Sequence, residues 1–167
     1  MKAITLWQPW ASLLALGLKH ETRSWATSYR GLIAIHAAAK DVMSSIKAFP
    51  RETRHAMAEA IKPAIPPDGT TIHHIPRGAV IATGDLVECY KILGVRKHRL
   101  PSGKWLVSVQ AAGRIRDIQI TNDDLLFGDW SPGRYAWELA NVRMLPEPIP
   151  AKGGQRIWEW EEEADTP

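Results

Sequence analysis

Apolar residues in this chain come in short blocks, some alternating with polar neighbours and some continuous, each closed off by Gly, Pro or Asp. Blocks of this length predict strands joined by brief helices. Residues 2–7 alternate enough to form a strand. Gln8-Pro9 then opens a short helix, because proline suits a first helical turn, and Gly17 closes it as a left-handed cap. The segment from Glu21 to Trp25 reads as extended. It leads through a Tyr29-Arg30-Gly31 turn into Leu32-Ile33-Ala34-Ile35-His36, whose β-branched content predicts a buried strand. Asp41 caps a helix ending near Phe49, and a second, more polar helix covers Arg51 to Lys62 and stops at Pro63. Residues 63–76, with Pro66-Pro67-Asp68-Gly69, read as a loop.

Strands resume in the second half. Gly78 to Leu93 is a run of Val, Ile, Leu and Thr in which Gly84 predicts a bend or bulge, a device used at barrel corners. Trp105 to Val109 and Ile115 to Ile120 each fit either a strand or a short helix. Arg134 to Val142 reads as a strand and Arg156 to Trp160 as a last short one. Five or six strands with helices inserted between them place the chain in the α+β class, as a small, partly closed β-barrel carrying helices on its outside.

Length and composition narrow the picture. With 167 residues, 45% of them hydrophobic, the chain is expected to form one domain over residues 1–160 with an ordinary core, followed by an acidic tail at 161–167. The longest apolar runs, such as Gly31 to Ala39, are too short to span a bilayer, and the N-terminal residues lack a signal-peptide pattern. A cytoplasmic location with no membrane partner is therefore expected. Cys89 is the single cysteine, so no internal disulfide forms, and with scattered histidines it offers no zinc-ligand spacing. Neither a metal nor another cofactor is expected. Net charge is +3, yet residues 159–167 hold five acids and no base, leaving residues 1–158 with 21 basic against 13 acidic residues. Such a body suits a polyanion such as RNA or DNA, and equally suits a solvated basic surface with no partner.

The densest candidate chemistry lies in Gly17-Leu18-Lys19-His20-Glu21-Thr22-Arg23-Ser24-Trp25. A lysine, a carboxylate and an arginine within five residues, flanked by Trp7, Trp10 and Trp25, can hold an anion, stack a flat ring and move a proton. The structural alternative is a surface ion-pair cluster contributing little. Arg134 and Tyr135, projected at a strand start by the Ser131-Pro132-Gly133 turn, are candidates for a phosphate or base-edge contact; the competing reading pairs Arg134 with Asp129. His36, at the end of an apolar strand, reads as a core histidine. Trp105, Trp137, Trp158 and Trp160 read as core or barrel-rim residues.

Together the Leu-Trp-Gln-Pro-Trp-Ala helix, the Gly17/Lys19/Glu21/Arg23 cluster with Ser24-Trp25, the Tyr-Arg-Gly-x-Ile-x-Ile-His strand and the block from Phe127 to Trp137 resemble the ASCH domain family. The likeness implies a PUA-like small β-barrel with flanking helices and a cleft that binds RNA, DNA or modified nucleosides. The family signature usually places two residues between its lysine and glutamate, whereas only His20 separates Lys19 from Glu21. In an extended segment that shortening reverses which face Lys19 shares with Glu21, unless Lys19 belongs to the helix-cap loop, which would absorb it.

Three functions follow from the resemblance. Some small ASCH proteins are amidohydrolases that remove the acetyl group of N4-acetylcytidine. The nearest positional matches to their catalytic residues are Lys19, Glu21 and Asp85, with Glu88 in reserve. Threonine stands in those enzymes where this chain has Glu21, so water rather than a threonine would attack. A non-catalytic reader of single-stranded nucleic acid or a modified base would stack it on Trp7, Trp10 or Trp25, with Arg23, Arg134 and Tyr135 as further contacts. A ribonuclease would use His20 or Glu21 as base, with Lys19 and Arg23 near the phosphate.

Overall fold

The computed structural model describes residues 1–67, 69 and 71–161, with backbone alone at Lys97 and His98, and shows a mixed α+β chain. Its strands are β1 (Lys2–Leu6), β2 (Glu21–Arg23), β3 (Gly31–Ala37), β4 (Ala79–Arg99), β5 (Trp105–Ala111), β6 (Arg114–Ile120), β7 (Tyr135–Pro150) and β8 (Ile157–Glu159). Four helices accompany them: α1 (Trp10–Ala15), α2 (Val42–Ile46), α3 (Arg51–Ala60) and α4 (Asn122–Phe127). All eight strands join one sheet in the order β2-β7-β4-β3-β1-β8, with β5 pairing β4 and β6 pairing β5. The path ends at β2 and at β8, so the sheet is not closed and the expected barrel is not shown by the pairing.

Contacts divide the chain into two compact units. In the first, residues 1–16, 32–84 and 141–167, β1 runs parallel to β3 and antiparallel to β8, with Ala3 opposite both Ala34 and Trp158. Its core gathers Ala3, Ala34, Val80 and Trp160. Gln8 is fully buried because its side chain is satisfied at both ends: Oε1 accepts from the Ser12 N–H at 3.1 Å in the first turn of α1, and Nε2 donates to the Pro76 carbonyl at 2.7 Å. Asp41 caps α2 as expected, its carboxylate accepting from the Ser44 N–H at 2.8 Å.

The second unit, residues 17–31 and 85–140, starts from Gly17, whose φ of +69° is the left-handed cap anticipated after α1. Strands β4, β5 and β6 form an antiparallel ribbon, and β5 and β6 meet at Ala112-Gly113, both with positive φ. Tyr90, Ile92, Val107, Val109, Ile120, Trp130 and Ala136 make its core.

Several expectations need correction. The two ambiguous stretches after residue 100 are both strands, β5 and β6, and β4 and β7 extend well beyond Leu93 and Val142. Helix α4 was not anticipated; Thr121 and Asp124 hold it with a reciprocal capping box. The 63–76 loop contains short 3₁₀ turns at Lys62–Ala64 and Ile72–His74. Asp68 of that loop and residues 162–167 of the acidic tail lie outside the described residues. Among the described residues no helix is long and apolar enough to cross a membrane.

Candidate functional site

The antiparallel register of β2 on β7 sets Glu21 opposite Trp137, Thr22 opposite Ala136 and Arg23 opposite Tyr135. Opposed residues share a face, so Glu21, Arg23, Tyr135 and Trp137 look one way and Thr22 and Ala136 the other. Ala136 belongs to the core of this unit, which gives the charged residues the opposite face.

On that face Glu21 bridges two cations with separate oxygens. Lys19 Nζ lies 2.9 Å from Oε2, and Arg23 Nε lies 2.8 Å from Oε1. The side chain of Lys19 is 1% exposed and that of Glu21 7%, whereas Arg23 is 26% exposed and is the member that meets solvent. Lys19 stands in the segment between the Gly17 cap and β2, outside the strand's alternation. From there its amine reaches the Glu21 carboxylate. Beside the triad, the Trp25 ring stands edge-on to Trp137 with centroids 4.7 Å apart. Trp137 is fully buried, and its indole N–H has no hydrogen-bond partner among the described residues. An unmet buried donor costs about 1–3 kcal/mol.

Arg134 sits at the edge of this arrangement. Its Nη2 donates to the Thr22 carbonyl at 3.5 Å and its Nε lies 3.2 Å from Asp129 Oδ2, the pairing that the structural alternative anticipated. Asp129 in turn donates its backbone N–H to Thr22 Oγ1 at 3.0 Å. The 127–135 block therefore ties its turn to β2.

His20 points into a different environment. Asp124 accepts from both its backbone N–H, at 2.6 Å, and its Nδ1, at 3.0 Å, and the ring meets Trp130 edge-on. Burial pushes the Asp124 carboxyl up, but the His20 contacts and the capping N–H groups outweigh it and hold it below the usual carboxylate range. Asp124 is the residue missed by sequence reasoning; the Thr121-x-x-Asp124 spacing is the signal that could have found it.

The remaining candidates are placed as follows. Asp85 is half-buried on β4. Glu88 is committed to a backbone bond from Cys89 and an ion pair with Arg30, which keep its carboxyl low and leave it poorly suited as a base. Trp7 and Trp10 belong to the first unit, where Lys40 Nζ covers the Trp7 ring at 3.3 Å and Trp10 packs on Phe49.

A family model, that of the ASCH domain, matches residues 4–149. The chain belongs to the ASCH domain family. Comparison with curated proteins gives no match. ASCH domains are generally associated with RNA binding, and the matched span of this one contains every residue of the triad and of the β2–β7 face.

Proposed function

We propose that this ASCH domain binds RNA, or a nucleoside or single strand derived from it, on the β2–β7 face of its second unit. The observation that carries the reading is the partly exposed Arg23, held by Glu21 on the same face as Tyr135. Arg23 offers a guanidinium to phosphate, and the half-buried Trp25 and Tyr135 offer ring surface. Both oxygens of Glu21 are occupied, so it serves to hold Lys19 and Arg23 in place, which favours a reader over a base catalyst. The PUA-like architecture and a cytoplasmic location go with this reading through the family resemblance.

A second reading, amidohydrolysis of an acylated base, is favoured by one feature: the desolvated ammonium of Lys19 is the group that would hold a developing oxyanion, once drawn from Glu21. One experiment separates the two. The protein is titrated with single-stranded RNA, with DNA and with N4-acetylcytidine, and cytidine release is followed in parallel. Binding that weakens with salt and in Arg23→Ala, without release, is the expected outcome. Release that disappears in Lys19→Ala and Asp85→Asn would establish the hydrolase instead. Absent or salt-independent binding to all three ligands sinks the proposal.

A further inference from the structure

We propose that the β4–β5–β6 ribbon of the second unit is a second RNA contact, one that grips the phosphate backbone of a base-paired stem. Residues 91–120 hold seven Lys and Arg against one acid, Asp117, whereas the whole chain carries only +3. The ribbon thus concentrates more positive charge than the protein has in total, and the rest of the chain is net acidic. Lys91, Arg96, Arg99, Lys104, Arg114 and Arg116 are all exposed.

Their local partners leave most of that charge available. Asp117 takes Arg96 at 3.0 Å, and Arg116 folds back to donate to the Tyr90 hydroxyl. Among the described residues Lys91, Lys104 and Arg114 have no ion-pair partner. Among the described residues β6 pairs with β5 alone and opens with four successive exposed residues, an edge strand whose rim faces solvent. Each of β5 and β6 is seven residues long and reaches about 23 Å, enough to follow several phosphates.

The kind of RNA follows from what the ribbon lacks. Within residues 91–120 Trp105 is the one Phe, Tyr or Trp, and that indole is bonded to Asn122 at 2.8 Å and packed against the core, as Tyr90 at the start of the ribbon is buried in it. Cations without stacking rings suit a duplex, whose bases are already stacked and whose phosphates face outward; an unpaired strand is held by aromatic platforms. Ile92 exchanges backbone bonds with Gly133 and Arg134, so the root of the ribbon adjoins the Arg134 end of the β2–β7 face. A stem on the ribbon would present its unpaired end toward that face. The inference rests on the RNA-binding reading but names a separate surface.

The test compares the full chain with its Lys91→Gln/Lys104→Gln/Arg114→Gln variant, whose changes are solvent-facing and outside the triad. Probes are a hairpin RNA with a stem of about 16 base pairs, its unpaired strand, anionic vesicles and poly-glutamate. Wild type should prefer the hairpin to the strand, and the variant should lose about tenfold or more in hairpin affinity with a salt slope shallower by about three. Arg23→Ala should lower affinity for the unpaired strand while leaving that slope within about one of wild type. An unchanged hairpin slope in the triple variant, or vesicles or poly-glutamate bound as tightly as the hairpin, overturns the ribbon proposal. A weakened triple variant beside a normal Arg23→Ala overturns the β2–β7 reading and leaves the ribbon standing; no RNA binding by wild type overturns both.

Discussion

Glu21→Gln tests whether the triad is held in a desolvated setting. The substitution keeps the shape and removes one charge, leaving the Lys19 ammonium, 1% exposed, beside an amide. Breaking a buried pair by removing one partner costs about 3–5 kcal/mol, because the remaining charge is left uncompensated. An amide oxygen still accepts one bond, so the lower end, about 3 kcal/mol, is expected. In a chain of this size that lowers the melting temperature by roughly 6–12 °C. Lys19→Met should cost less, about 1–2 kcal/mol, since Glu21 keeps Arg23 at 2.8 Å and the thioether fills the space. The double variant should then be more stable than Glu21→Gln alone. Urea unfolding followed by tryptophan fluorescence and circular dichroism gives all three values. Equal costs for the two single variants, or a loss below about 1 kcal/mol for Glu21→Gln, would refute the reasoning and make the triad a solvated ion pair.

Other expectations follow from single contacts. Gly17→Ala should destabilise by about 1 kcal/mol purely through backbone strain, because φ is +69° and nothing lies within 4 Å of the new methyl; a neutral result in denaturant titration contradicts it. Burial lowers the His36 pKa despite its bond to the Ala151 carbonyl, so the unfolded chain takes up the proton first: stability from this group is full above about pH 6.5 and declines as pH falls below it, and urea midpoints should show that decline in wild type but not in His36→Gln. Asp124→Asn should flatten the acid limb below about pH 4, because a carboxyl held low stabilises the fold above its unfolded value and loses that contribution as it protonates; an unchanged acid limb would show that the His20 contact contributes nothing. Gly153→Ala should be strongly destabilising, since its methyl would sit 2.6 Å from His36 Cε1 and 2.9 Å from Thr5 Oγ1, and wild-type melting behaviour would count against that close packing.

What could be read in advance was local. Gly17 declared a helix end because only a residue tolerating positive φ continues there, and the β-branched run before His36 declared β3. The proximity of Glu21 and Arg23 was legible because a short extended segment brings neighbours two apart onto one side, whereas Lys19 joins them from the bend before β2. The place of Trp137 opposite Glu21 was not legible, because it depends on a strand pairing that spans more than 100 residues of chain. The ambiguity of β6 has a physical cause as well. An edge strand whose first four residues are all exposed has no buried side to impose alternation on its sequence. Helix α4 spans only six residues, too few for a period to emerge, and its cap rather than its apolar spacing defines it.

The position of β1 between β3 and β8 carries a consequence for synthesis. β3 follows β1 within about thirty residues, but Lys2, Ala3 and Ile4 find their other partners only in Glu159, Trp158 and Ile157. At ribosomal rates of about 5–20 residues per second, one edge of β1 waits roughly 8–30 seconds for the strand that covers it. Throughout that interval the nascent chain presents Lys2 to Leu6 as an open edge, so chaperone capture or misassociation during translation should centre on this strand, and slowing translation late in the message should lower the soluble yield more than slowing it early.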